Sequence, residues 1–185
     1  MLLAGLLGGC SHSQTWQLLN ITGVMPSLKF RLTDDAGHKV DANTYRGKIV
    51  LLYFGYTHCP DVCPTTMAKL TQVMHKLGNA ARQVRVLFVT VDPKRDTPKV
   101  LQSYTHAFGP QFIGLRTNDD ELRTLTKRYR VTYSRGKPDK HGNYEVTHSS
   151  AIFIFDGKGN VRLMARYDDQ ASAITHDLKQ LINSG

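Results

Sequence analysis

Six consecutive apolar residues, Ile49-Val50-Leu51-Leu52-Tyr53-Phe54, constrain the fold of this 185-residue chain more than any other feature. A strand of that kind has no polar face, so it must be covered on both sides by further layers. Val84 to Val91 and Ala151-Ile152-Phe153-Ile154-Phe155 repeat the pattern. Segments of helical period separate these runs. Met67, Leu70, Met74 and Leu77 form one stripe between Pro64 and Gly78, which predicts a helix from about Pro64. Asp96 or Thr97 is placed to cap a second helix that begins near Pro98 and ends before Gly109. Asp119-Asp120-Glu121 opens a third, with acids in its first turn and Lys127-Arg128 in its last, as the helix dipole favours. Asp168 or Asp169 is expected to cap a fourth reaching Asn183.

Residues 15–47 read as an N-terminal strand and hairpin. Leu28-Lys29-Phe30-Arg31-Leu32 alternates with period two, and Asp34-Asp35-Ala36-Gly37 supplies a turn. Val161 to Arg166 is the hairpin partner of the strand at Ala151, across the turn Asp156-Gly157-Lys158-Gly159. The order strand-helix-strand-helix, a further helix, then a β-hairpin and a closing helix predicts an α/β thioredoxin-like sandwich. Its central sheet is mixed, with helices on both faces and an N-terminal β-hairpin. The length suits a single domain, residues 15–185.

The first ten residues, Met1 to Cys10, are apolar and end in Leu7-Gly8-Gly9-Cys10, which resembles a bacterial lipobox. Residues 1–14 are therefore expected to be a lipoprotein signal and tether, with cleavage before Cys10 and a lipid on that cysteine. The pattern departs from a usual secretory signal in having no positive charge ahead of Cys10. On this reading the domain sits at the periplasmic or other extracytoplasmic face, anchored to the membrane through the lipid, where disulfides persist. No apolar stretch approaches the roughly 20 residues a membrane-spanning helix needs. The formal charge is +9, with basic clusters at Lys127-Arg128-Tyr129-Arg130 and Arg135 to Lys140. Such charge suits an acidic partner or an anionic membrane surface. No nucleic acid is expected, because no recognition motif accompanies the charge.

With Cys10 assigned to lipid, Cys59 and Cys63 remain as the one thiol pair of the three cysteines. They lie four residues apart at the start of a helix, in Phe54-Gly55-Tyr56-Thr57-His58-Cys59-Pro60-Asp61-Val62-Cys63-Pro64. Thiols one turn apart can hold a soft metal ion, or open and close a disulfide. A purely structural disulfide is disfavoured, since a one-turn loop constrains the unfolded chain little. Two thiolates leave a metal open to solvent, so a third ligand should come from a facing loop. In thioredoxin-like folds that loop usually carries a proline. Here none lies between Asp139 and Ala151, and His148 stands there instead. A Cys2His set suits copper in either oxidation state. Zinc accepts the same donors, but a structural zinc site is usually closed by a fourth. The helix N-terminus is expected to favour the thiolates. His58 reads as a partly exposed loop residue, Met67 and Met74 as core. Asp61 is expected to shape the motif loop or a partner contact. Asp92, Arg95 and Asp96 are expected to bond one another or cap the next helix. His38, His75, His106, His141 and His176 show no ligand spacing.

Three blocks occur in order: Gly55-Tyr56-Thr57-His58-Cys59-Pro60-Asp61-Val62-Cys63-Pro64, Val91-Asp92-Pro93-Lys94-Arg95-Asp96-Thr97-Pro98 and Tyr144-Glu145-Val146-Thr147-His148-Ser149. Together they closely resemble the Sco/SenC family of copper chaperones, from about residue 20 to the C-terminus. The resemblance implies that Cys59, Cys63 and His148 bind Cu(I) or Cu(II). It implies a membrane-tethered metallochaperone that delivers copper to the copper A centre of cytochrome c oxidase during its assembly. The partner would be the oxidase subunit bearing that centre, or another copper chaperone. The alternative is a thiol–disulfide oxidoreductase acting through Cys59 and Cys63, which would keep the cysteines of that centre reduced. One departure is Thr147, where many members carry an aspartate. A peroxidase reading of Val62-Cys63-Pro64-Thr65 is disfavoured, because Pro60 stands where that chemistry wants a threonine hydroxyl.

Overall fold

The structure, a computed structural model, describes residues 15–184. Cys10 and its expected lipid attachment therefore lie outside the described residues. The elements run β1 (Leu19–Asn20), β2 (Arg31–Asp34), β3 (Lys39–Asp41), β4 (Ile49–Gly55), α1 (Val62–Leu77) and β5 (Val84–Thr90). They continue with α2 (Pro98–His106), β6 (Phe112–Arg116), α3 (Asp119–Arg128), β7 (Tyr133–Arg135), β8 (Val146–His148), β9 (Ile152–Phe155), β10 (Val161–Ala165) and α4 (Ala171–Asn183). Among the described residues no helix is long and apolar enough to cross a membrane.

Eight strands form one mixed sheet in the order β1-β10-β9-β4-β5-β6-β2-β3. The β4–β5 and β5–β6 pairs are parallel and the others antiparallel. This is the thioredoxin-like sandwich anticipated from the sequence. Every residue of β4 is buried, as its unbroken apolar run requires. Tyr53 packs on Phe88, which meets Tyr104 of α2, on the face that α1 and α4 share. The alternate residue Phe54 points the other way, to Tyr129 just after α3. Tyr129 in turn meets Phe153 and Phe155. Helices thus cover both faces. At about 25 cal/mol per Å² of apolar surface, this double burial is the main force fixing β4 in register.

Two local expectations need correction, the start of α1 and the cap of α4. Helix α1 begins at Val62 rather than Pro64, which places Cys63 inside its first turn and Pro64 where a missing N–H costs nothing. Strand β6 is not evident in the sequence, because Gly114 interrupts its pattern. That glycine's N–H donates to the buried carboxylate of Asp35, and a Cβ there would lie 3.0 Å from Leu101 Cβ. The N-terminal strand and hairpin form as read, at opposite edges of the sheet: β1 lines β10, and the β2–β3 hairpin flanks β6. Finally, Gln170 rather than Asp168 or Asp169 precedes α4, with no side-chain cap. Asp169 is engaged by the backbone N–H of Arg166 instead. Thr97 does cap α2, through the N–H of Val100.

Candidate metal centre

Strand β4 ends at Gly55, and the chain must turn sharply from its tip into α1. Asp96, fully buried, holds that turn. It accepts from the Thr57 N–H at 3.1 Å, the Thr57 hydroxyl at 2.6 Å and the Thr90 hydroxyl at 2.5 Å. The aspartate is thus consumed by the cysteine loop, not by the helix cap. Gly55 lets the Phe88 ring and Cys63 pack directly against the strand end. A Cβ on it would lie 2.7 Å from the Phe88 ring and 3.0 Å from Cys63 Sγ.

Cys63 is fully buried and Cys59 half-buried, and both are free thiols. The N–H of Cys63 donates to Cys59 Sγ at 3.4 Å, so the open end of the helix faces that sulfur. Tyr53 Oη donates to Cys63 Sγ at 3.6 Å. The expectation that the helix end favours both thiolates fails for Cys63. Desolvation by burial outweighs its hydrogen bonds and pushes the thiol up to about 12. Without metal, Cys63 carries its proton at neutral pH.

His148 ends β8, which pairs only with β7 in a two-stranded ribbon outside the main sheet. Its Nε2 lies 3.2 Å from Cys63 Sγ. Its Nδ1 is 3.0 Å from the Ser149 carbonyl, which can only accept, so Nδ1 bears the ring proton and Nε2 keeps its lone pair. Burial holds the ring's pKa below the usual histidine value, so it is neutral near pH 7. The Cys63 thiol donates to that lone pair. A metal ion entering the site would replace this one proton.

Donor atoms of Cys59, Cys63 and His148 all fall within 4.8 Å of one another, and among the described residues this is the one such group. With bonds of about 2.0–2.3 Å to nitrogen and sulfur, a single ion can be reached by all three after small adjustments. The other expected residues fall outside this group. His58 is half-exposed, with Nδ1 3.1 Å from the Thr57 hydroxyl and 3.6 Å from Asp96. Asp61 accepts from the Thr65 hydroxyl and shapes the helix start. Met67 and Met74 are buried core residues, and Thr147 is exposed.

The sequence reading missed three tyrosines. Tyr53 meets both Cys63 and, ring edge to ring, His148. Tyr56 stands perpendicular to the His148 ring, and its Oη accepts from the Val146 N–H at 3.4 Å. Tyr144 donates to Asp92 at 2.7 Å. Tyr56 and Tyr144 lie within the motif blocks, which was the available signal.

Comparison with known proteins finds relatives of this chain. The family model described as SCO1/SenC matches residues 25–183. A SCO2-like protein of Rickettsia felis is 36% identical over 151 residues, 81% of this chain and 74% of that protein. The chain spans only 64% of three further rickettsial relatives. Among solved structures, copper-bound ScoI of Bradyrhizobium japonicum superposes with a TM-score of 0.76 at 34% identity, covering 84% of this chain and 98% of that one. Apo Sco1 of Thermus thermophilus gives 0.81 at 32% identity, covering 92% and 99%.

Proposed function

This chain belongs to the SCO1/SenC family, and from that premise we propose that it is a copper carrier. It takes up the ion between Cys59, Cys63 and His148 and passes it to the copper A centre of cytochrome c oxidase during assembly. The observation that carries the reading is the convergence of two sulfurs and one imidazole nitrogen within 4.8 Å. Thiolates favour Cu(I), and imidazole extends the set to Cu(II). Three donors rather than four leave a coordination position through which an acceptor's ligand can enter, so the ion can leave by exchange. The half-exposed Cys59 lies on the side from which such a ligand would come. A related protein of like fold is described with copper bound, and the Sco family as one of cytochrome c oxidase assembly proteins. The partner is then the copper A-bearing oxidase subunit or another copper chaperone. Lipidation of Cys10 would tether the domain at the periplasmic membrane face.

The test is titration of the reduced protein with Cu(I) and Cu(II), beside His148→Ala and Cys59→Ser. One equivalent should bind the parent, and His148→Ala should lose most Cu(II) affinity. Undiminished binding of both ions by His148→Ala would overturn the ligand assignment.

A second reading, thiol–disulfide exchange, is favoured by the unequal exposure of the two thiols. The Cys59 thiolate attacks a target disulfide, and one target sulfur leaves as thiolate. Cys63, deprotonated, then attacks the Cys59 sulfur and frees the second. The pair ends oxidised, having given two electrons to the target and its protons to solvent. Because that disulfide removes both sulfur ligands, exchange and copper carriage exclude each other at any instant. Cys63→Ser should trap a Cys59 mixed disulfide with a disulfide-bearing oxidase peptide, and failure to trap it would end this reading.

A further inference from the structure

The third donor reaches the site on a ribbon that the main sheet does not hold. Strands β7 and β8 pair with each other alone, so side chains must dock them. Val146 of β8 is buried in the core, and the polar contacts around the ribbon gather at one group. Asp92, fully buried at the end of β5, accepts from Tyr144 Oη at 2.7 Å through Oδ1 and from Arg95 Nε through Oδ2. Arg135 of β7 places its Nε 3.9 Å from the same carboxylate. The Arg135 guanidinium also donates to the Val91 carbonyl at 2.9 Å and to Asp119 at 2.8 Å. The Arg95 guanidinium lies 3.7 Å from the Tyr144 ring centroid and 5.9 Å from that of Tyr56. Tyr56 closes the circuit, since it meets both the Val146 N–H and the His148 ring. One carboxylate therefore joins the approach to β8, the β7 strand and the body of the domain.

We propose, on the copper reading above, that Asp92 is the positioning residue for His148. With its two guanidiniums and one phenol it latches the ribbon so that Nε2 stands ready beside Cys63. It touches no ligand atom and acts through Tyr144, Arg95 and Tyr56. The energetic logic is that of outer-shell partners generally, whose loss costs roughly 10–100-fold in metal affinity while the ligands stay in place. The penalty should fall unequally on the two ions. Cu(I) is satisfied by the thiolates, Cys63 in the first turn of α1 and Cys59 in the loop just before it, which do not depend on the latch. Cu(II) depends more on imidazole nitrogen. Loosening the latch should then lower Cu(II) affinity more than Cu(I) affinity, and thereby shift the bound metal toward the reduced ion.

The experiment uses Asp92→Asn and Tyr144→Phe in the full chain. The second variant keeps the ring beneath Arg95 and removes only the hydroxyl, so it serves should Asp92→Asn fold poorly. Cu(II) and Cu(I) affinities are measured by competition, with the nitrogen coupling in the Cu(II) EPR spectrum and the dithiol–disulfide midpoint. We expect Cu(II) affinity to fall roughly 10–100-fold for Asp92→Asn and several-fold for Tyr144→Phe, with nitrogen coupling weakened. The Cu(I) affinity and the dithiol midpoint should change little. A lower melting temperature with an unchanged ratio of the two affinities would make Asp92 purely structural and overturn the proposal. Failure of the parent chain to bind either ion would instead remove the copper reading itself, which separates the two failures.

Discussion

The two halves of the candidate site are held by different physics. The cysteine half sits where β4 meets α1, in the centre of a fully covered sheet. Its backbone is pinned by apolar burial on both faces and by parallel pairing along the whole of β4. The histidine half rides on a ribbon of two three-residue strands, docked by one buried side chain, Val146, and otherwise by polar groups: the carboxylates of Asp92 and Asp119, two guanidiniums and a few hydroxyls. Apolar packing is spread over many contacts and tolerates no sliding, whereas a polar latch concentrates its strength in few groups. On the proposed carrier role, the fixed half would keep the two sulfurs while the docked half is loosened to let the ion go.

The largest effect that would sharpen this contrast is in the fixed half. Leu70, fully buried in α1, should cost about 2–5 kcal/mol of unfolding free energy when truncated to Ala. Denaturant unfolding measures that loss, while the folded variant should keep its Cu(I) affinity. Native-state hydrogen exchange on the parent should find the Val146 amide opening far more readily than the amides of β4. Equal protection of the two would break the comparison.

Next comes Gly55→Ala. Its methyl would meet the Phe88 ring and Cys63 Sγ, so overpacking should cost about 1–3 kcal/mol. Unlike Leu70→Ala, it should also weaken Cu(I) binding, because the displaced atom is a ligand sulfur. Stability and Cu(I) affinity measured side by side on both variants test that distinction.

The pH dependence of copper uptake has a defined sign. Burial raises the Cys63 thiol to about 12, so at any lower pH the metal must displace its proton. Each unit of pH then raises Cu(I) affinity about tenfold for that one proton, or about 1.4 kcal/mol. His148, with its pKa lowered, is already neutral near pH 7 and adds no proton competition there. A flat Cu(I) affinity between pH 6 and 8, read by competition with a pH-independent chelator, would contradict this account.

The smallest effect is a control. Thr97→Ala removes the cap of α2 and should cost about 1 kcal/mol of stability without altering copper affinity.

Much of this was legible in the chain. The apolar runs at Ile49, Val84 and Ala151 became β4, β5 and β9, because strands buried on both faces must be apolar throughout. The ligand candidates were legible too, since two thiols four apart at a strand-to-helix junction come together, here with Cys59 in the loop before α1 and not on its face, and His148 stood where a proline is usual. Strand β6 was hidden because its glycine serves a neighbour, Asp35, and not its own strand. The α4 cap was misassigned because Asp169 found a nearer N–H in Arg166. Local chemistry proposed each donor, and tertiary competition chose among them.

The amino-acid order by itself determined the layered α/β fold, the two thiols four positions apart where a strand meets a helix, and the candidate third donor. It did so because hydrophobic period and helical spacing act over a few residues. Only the tertiary structure decided that Cys63 is buried enough to keep its proton, which imidazole nitrogen faces it, and that the buried Asp92 meets Tyr144, Arg95 and Arg135 beside the ribbon. Those outcomes join groups as far apart as Cys63 and His148, 85 positions along the chain. Desolvation and hydrogen bonding at that range exist only once the chain has folded around them.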